Sequence, residues 1–291
     1  MTTEAVARLS LQVLFPQQPE LESSDLERAF LKADSLFAGV DIVPPHIRFG
    51  SHNVLFAENN SPMKSEDTEK ALGDVRCDRA LKELVRGHES HVVVSYNGEE
   101  TNPLQVYKLL TLVSSVLCTR GASAVVNCNG HACADSRQLL RLLGDSNWFR
   151  VIDEEMPICF VISAVTCHCF DENPYYFART YGNEFLNVPN VGSCVLDRQW
   201  ASMEQEIIDT FSNVTSYMLD SGNVVAPGDT MEIDGDDMFI RFCTEEEVAR
   251  TWNRQVNEPL QPDEFFLESP SGLLHIDFSP TFIYHSARRL I

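Results

Sequence analysis

Positive charge is what this 291-residue chain has least of: 22 Lys and Arg stand against 43 Asp and Glu, a formal charge of −21. That surplus repels phosphate backbones and anionic headgroups, so neither nucleic acid nor a bare membrane is an expected partner. Long apolar runs are absent too. The longest, Met156 to Val165, is about half the ~20 residues of a membrane helix and contains Pro157 and Ser163, so it reads as a buried strand. Gly and Pro number only 14 each, which excludes collagen-like and low-complexity chains, while 44% hydrophobic residues suffice for a sizeable core. The start Met1-Thr2-Thr3-Glu4 lacks the basic region and apolar run of a secretory leader, so a soluble, cytoplasmic protein is expected. Its nine cysteines are odd in number, scattered from Cys77 to Cys243 and often inside apolar segments, which suits buried thiols in a reducing compartment.

What is present is periodicity. Leu9, Leu11, Val13 and Phe15 alternate as in a strand with one face on a core, and Pro16 ends it. Ser24 with Glu27 has capping-box spacing, and Leu26, Ala29, Phe30, Ala33 and Phe37 predict a helix of about four turns up to Gly39. A short strand at Asn53 to Ala57 leads into the charged stretch Lys64 to Asp78, read as a solvated loop, and a helical piece near Leu81 to Val85. The pattern repeats with a strand at His91 to Tyr96, Asn102 capping a helix whose first residue is Pro103, a stop at Gly121 and a strand at Ala122 to Val126. Two tandem βαβ units of this kind are a ferredoxin-like pattern. A short helix, Ser136 to Leu143, follows Asp135, and Ile158 to Val165 makes a further strand. Trp200, Met203, Ile207, Phe211, Val214 and Met218 mark the longest helix, ended by Gly222, with short antiparallel strands expected between Asn223 and Cys243. The proline-punctuated tail reads as an appended hairpin or arm. Expected, then, is an α+β fold of mixed sheets with packed helices: a ferredoxin-like half over 1–130, a second α+β half over 131–247, within the same or a separate domain, and a C-terminal extension over 248–291.

Chemistry-bearing motifs are few. Cys128, His131 and Cys133, with Cys167, His168 and Cys169, offer thiolates and imidazoles at short range. Their spacing gives no paired knuckles, and in an extended strand Cys-His-Cys sends neighbouring side chains to opposite faces, so packing is expected and no metal or cofactor. Neither a G-x-S-x-G elbow nor a glycine-rich phosphate loop occurs. Residues 229 to 247 hold eight acids against the single base Arg241, and Asp234, Asp236 and Asp237 form a turn that lacks the ligand order of a calcium loop. Such acidity suits either a solvated face or a surface for a basic protein partner. Tyr175 and Tyr176, in a loop after Pro174, and Tyr181 are candidate anchors for that partner.

Several segments in order resemble the bacterial family known as domain of unknown function 4261. They are the strand His91 to Tyr96 with its following helix, Gly121-Ala122-Ser123-Ala124-Val125-Val126, the run Ala178-Arg179-Thr180-Tyr181-Gly182-Asn183-Glu184-Phe185-Leu186-Asn187-Val188-Pro189, and Ala226-Pro227-Gly228-Asp229-Thr230. The resemblance spans about Leu9 to Cys243 and brings no catalytic signature. Within these segments Gly182 and Gly228 suit turn positions where a side chain would clash, and Thr180 or Thr230 suits a hydrogen bond with nearby backbone. Asn127-Cys128-Asn129-Gly130-His131 departs from the aromatic residue that family members tend to carry after the fourth strand, so a shared site is not expected there. Two functions remain open: a non-enzymatic, acidic protein-binding module of the immunity or adaptor kind, and an enzyme, such as a hydrolase, assembled around Cys128, His131, Cys167 and His168.

Overall fold

The structure, a computed structural model, describes residues 9–73, 79–143, 164–169, 175–223, 225–226, 229–233, 238–243 and 273–277. The fold is α+β, and the chain divides into two compact units, 1–164 and 165–291. Among the described residues no helix is long and apolar enough to cross a membrane.

The first unit is organised by a seven-stranded sheet of β1 (Ser10–Phe15), β2 (Asp41–Val43), β3 (His46–Phe49), β4 (His52–Asn59), β5 (Ser90–Tyr96), β6 (Ala124–Asn127) and β7 (Ala132–Asp135), in the order β2-β3-β4-β5-β1-β6-β7. Each described pairing in it is antiparallel. The βαβ units expected in tandem are interleaved instead: β5 lies between β1 and β4, and β1 lies between β5 and β6. β1 can take this interior place because its apolar face and Leu14 of the other face are buried. Leu11, Val13 and Phe15 alternate with Leu14, and all four are buried.

Helix α1 (Ser23–Ala33) is shorter than its periodicity predicts. Asp34 is extended and its carboxylate accepts the Leu36 N–H at 2.7 Å, opening a 3-10 turn at Ser35–Phe37. The expected Ser24–Glu27 capping box does not form, since the helix begins after Glu22 with no side-chain cap. The period nonetheless placed the aromatics correctly. Phe30, Phe37 and Phe49 are fully buried or nearly so and meet edge to face, with centroids 4.7 and 4.8 Å apart. The stretch read as a loop from Lys64 contains α2 (Ser65–Gly73), whose buried Thr68, Ala71 and Leu72 lie beneath exposed Glu66, Asp67 and Glu69. High charge density masked its apolar stripe. The β2–β3 hairpin also escaped the sequence reading, because Pro44-Pro45, which joins its strands, reads as a chain break.

Helices α2 and α3 (Arg79–Arg86) contribute Met63, Ala71, Leu72 and Val85, from their approach and their inner faces, to a cluster with Leu14, Ala124, Val126 and Cys133 of the sheet. Helix α4 (Pro103–Cys118) packs on β1, β5 and α1. Asn102 caps α4 as expected, its Oδ1 accepting from Leu104 N–H at 3.0 Å. The helix is buried along nearly its whole length, polar side chains included; Thr111 and Ser115 return their hydroxyls to the carbonyls of Tyr107 and Thr111, both at 2.8 Å. Gly121 adopts φ +92°, a left-handed conformation that suits the expected stop. Helix α5 (Ser136–Leu142) follows β7 and starts with a capping box between Asp135 and Gln138. The break expected at 130/131 falls inside the β6–β7 hairpin, where Asn127 pairs with Ala132.

The second unit has a six-stranded sheet, β11-β12-β13-β10-β9-β8, built from β8 (Ala164–Cys169), β9 (Tyr175–Tyr181), β10 (Asn190–Leu196), β11 (Thr230–Ile233), β12 (Met238–Cys243) and β13 (Leu273–Asp277). Of the expected strand Ile158 to Val165, only Ala164 and Val165 fall within described residues. Helix α6 (Asp197–Ser221) buries Ile207, Phe211, Val214 and Met218, the face its sequence period marks, and ends at Gly222 with φ +66°. The tail expected as an appended arm instead supplies β13, parallel to β10 and antiparallel to β12 between them.

Candidate functional site

The thiol and imidazole cluster of the first unit lies at the β6–β7 turn. Asn127 Oδ1 accepts from the N–H groups of Asn129 and Gly130, both at 3.1 Å, closing a tight Asx turn. His131 then takes φ +49° and is buried. This geometry sends Cys133 into the apolar cluster with Leu14, Leu72 and Val85, and Cys128 packs against the same cluster. Cys167, His168 and Cys169 are the last three residues of β8 in the second unit. Among the described residues no group of three or more His, Cys, Asp and Glu is placed to hold a metal ion. Cys118, on α4, is buried, and burial pushes its thiol up to about 12, with the Asp135 charge adding to the shift. Such a thiol is protonated at neutral pH and is no nucleophile.

A second polar constellation closes the end of the first sheet. Tyr96 is buried; its hydroxyl lies 3.0 Å from His52 Nδ1 and accepts the Glu100 N–H at 3.0 Å. Gly98 is required beside it, because a Cβ there would stand 2.4 Å from the Tyr96 oxygen. Burial raises the Tyr96 pKa, so the phenol stays neutral and serves as a fixed hydrogen-bonding post.

A third polar constellation, buried, lies in the second unit between β9 and β10. β9 leaves the sheet at Gly182 (φ +92°), a 3-10 turn covers Asn183–Leu186, and Asn187 (φ +60°) returns the chain toward β10. Asn190 joins the two ends. Its Oδ1 accepts from the Thr180 hydroxyl and the Asn183 N–H, each at 3.3 Å, while its Nδ2 donates to Glu184 at 2.7 Å. Thr180 Oγ1 accepts the Val191 N–H at 2.9 Å, a backbone bond of the kind expected of this threonine. Asn183 Nδ2 donates to the Pro189 carbonyl and to Thr215 on α6, tying the corner to the helix. Arg179 is buried, with its guanidinium 4.2 Å over the Tyr181 ring.

Of the proposed partner-binding residues, Tyr181 therefore has a ring face occupied by Arg179. Tyr175 and Tyr176 are not loop residues but open strand β9, opposite Leu196 and Val195. Asp234, Asp236 and Asp237 lie in the link between β11 and β12, outside the described residues, as does Gly228. Asn183, Asn190 and Thr215 escaped the sequence reading. The Gly182-Asn183 turn signal was the available sign, but the bond between Asn183 and Asn190 exists only once β9 and β10 pair.

No family model, no curated protein and no solved structure matches the chain.

Proposed function

We propose that the protein works in the cytoplasm by binding another protein, one with a basic surface, and not by catalysis. The observation that carries this reading is the uneven charge. Residues 165–291 hold 21 Asp and Glu against 7 Arg and no Lys, whereas residues 1–164 hold 22 acids against 15 bases. A surplus gathered on one unit creates a potential that attracts and orients a cationic partner. The described cysteines of the first unit speak against the enzymatic alternative there: Cys133 sits in the apolar cluster, Cys128 packs on it and Cys118 is held protonated, none of which suits a nucleophile. The kinship proposed is with domain of unknown function 4261, on the ordered segments given above. The ferredoxin-like reading of the first half draws support from the interleaved order β4-β5-β1-β6.

The test is capture by the tagged full chain at low ionic strength, beside a variant carrying Asp234→Asn, Asp236→Asn and Asp237→Asn. The expected result is a basic protein recovered in near-stoichiometric amount, released by about 0.5 M salt, where screening acts within roughly 5 Å, and held less tightly by the variant. Recovery of nothing at low salt, or of a partner indifferent to both salt and the three acids, rejects the reading.

A further inference from the structure

Two histidines of one segment hold the loop that leads into α2. His88 is buried between α3 and β5. Its Nε2 accepts the Met63 N–H at 2.8 Å and its Nδ1–H donates to the Val85 carbonyl at the end of α3. Because Met63 N–H can only donate, Nε2 must carry no proton, so the ring is neutral in the Nδ1–H form. Three residues on, His91 Nδ1 lies 2.9 Å from the Ser61 carbonyl and donates to it. Met63, 8% exposed, is thereby seated in the cluster of Leu14, Ala71, Leu72, Val85 and Val126.

We propose that His88 is a pH-operated latch on residues 61–73: neutral, it accepts the Met63 N–H and holds α2 against the sheet; protonated, it sets donor against donor and releases the segment. His91 keeps its bond to Ser61 in either state, since Nδ1 donates in both, so the response belongs to His88. Among the described residues, the groups around it leave it without a stabilising anion. His91 of β5 faces it, ring centroids 6.3 Å apart. On α2 and α3, Glu69 is bound by Arg86 at 2.7 Å and Glu83 by Arg79 at 2.8 Å. Lys64 and Glu89 are exposed chain neighbours of Met63 and His88. Burial, and then the charge of His91, hold the His88 imidazole below its ordinary value of 6.5, against the opposing pull of the Val85 carbonyl. With the folded pKa below the unfolded one, the latch is complete above 6.5 and weakens as pH falls beneath it, by about tenfold in the opening equilibrium for each unit of depression.

Hydrogen exchange of the full chain at about pH 8 and about pH 5, the span over which imidazoles titrate, corrected for the intrinsic rate, tests it. Expected is a several-fold loss of protection over 61–73 in acid while β1 and β5 keep theirs. In His88→Gln, whose side-chain carbonyl accepts without titrating, the profile should be flat. Unchanged protection in the wild-type protein, or an equal loss in the variant, overturns the proposal. Should the variant not fold, the wild-type protein decides alone: the Met63 amide shift must follow the His88 titration, and an amide that ignores it overturns the latch.

Discussion

Among the described residues of 1–164 the largest fully buried side chains are Phe15, Phe30, Phe37, Phe49 and Tyr107, and the buried hydroxyls of Thr111 and Ser115 on α4 turn back to carbonyls of their own helix. In residues 165–291 the described interior sets Ile207, Phe211 and Val214 beside Thr180, Asn183, Asn190 and Thr215, so hydrogen bonds share the work of packing. The difference teaches how each part achieves a single arrangement. Dispersion between rings is non-directional and yields to small shifts, so the first unit depends on volume. A buried amide tolerates little displacement before a donor or acceptor goes unpaired, so the corner of the second depends on geometry.

The largest expected effect tests the first half of that contrast. Phe37→Ala removes the ring touching both Phe30 and Phe49, and denaturant unfolding should show a loss of about 4 kcal/mol; a loss below about 1 kcal/mol would mean the ring stack is not what fills this core. Next comes Asn190→Leu, which keeps side-chain volume but strands Thr180, the Asn183 N–H and Glu184. A cost of about 2–3 kcal/mol is expected by the same measurement, and a neutral result erases the distinction between the units. Asn102→Ala, at the exposed cap of α4, should cost about 1 kcal/mol. The smallest effect is an expected silence. With its thiol pushed up to about 12, Cys118 should resist alkylation at neutral pH until the chain unfolds, as mass mapping of labelled peptides can follow.

Much of this architecture was legible where local physics decides it. The alternation around Val13, the Asn102–Pro103 cap, the Asp135 cap and the α6 stripe all appear in the structure, since each depends on residues within a turn or two of one another. The failures share a cause as well. Helix α2 is stabilised by burying Ala71 and Leu72 on a sheet face supplied by distant residues, and β13 is held by partners about 30 and 80 residues away. The proposed site was legible only as charge: Asp234, Asp236 and Asp237 stood out by sign, while Asn190 and His88 carried no local mark.

The sequence by itself determined the anionic character, most element positions and which faces of β1 and α6 are apolar, because charge and period are properties of neighbours along the chain. Only the tertiary structure decided the interleaved strand order, the seat of β13, the neutral tautomer of His88 and the Thr180–Asn183–Asn190 network. Each of these needs two segments brought together, and a buried hydrogen bond has no partner, and so no meaning, until they meet.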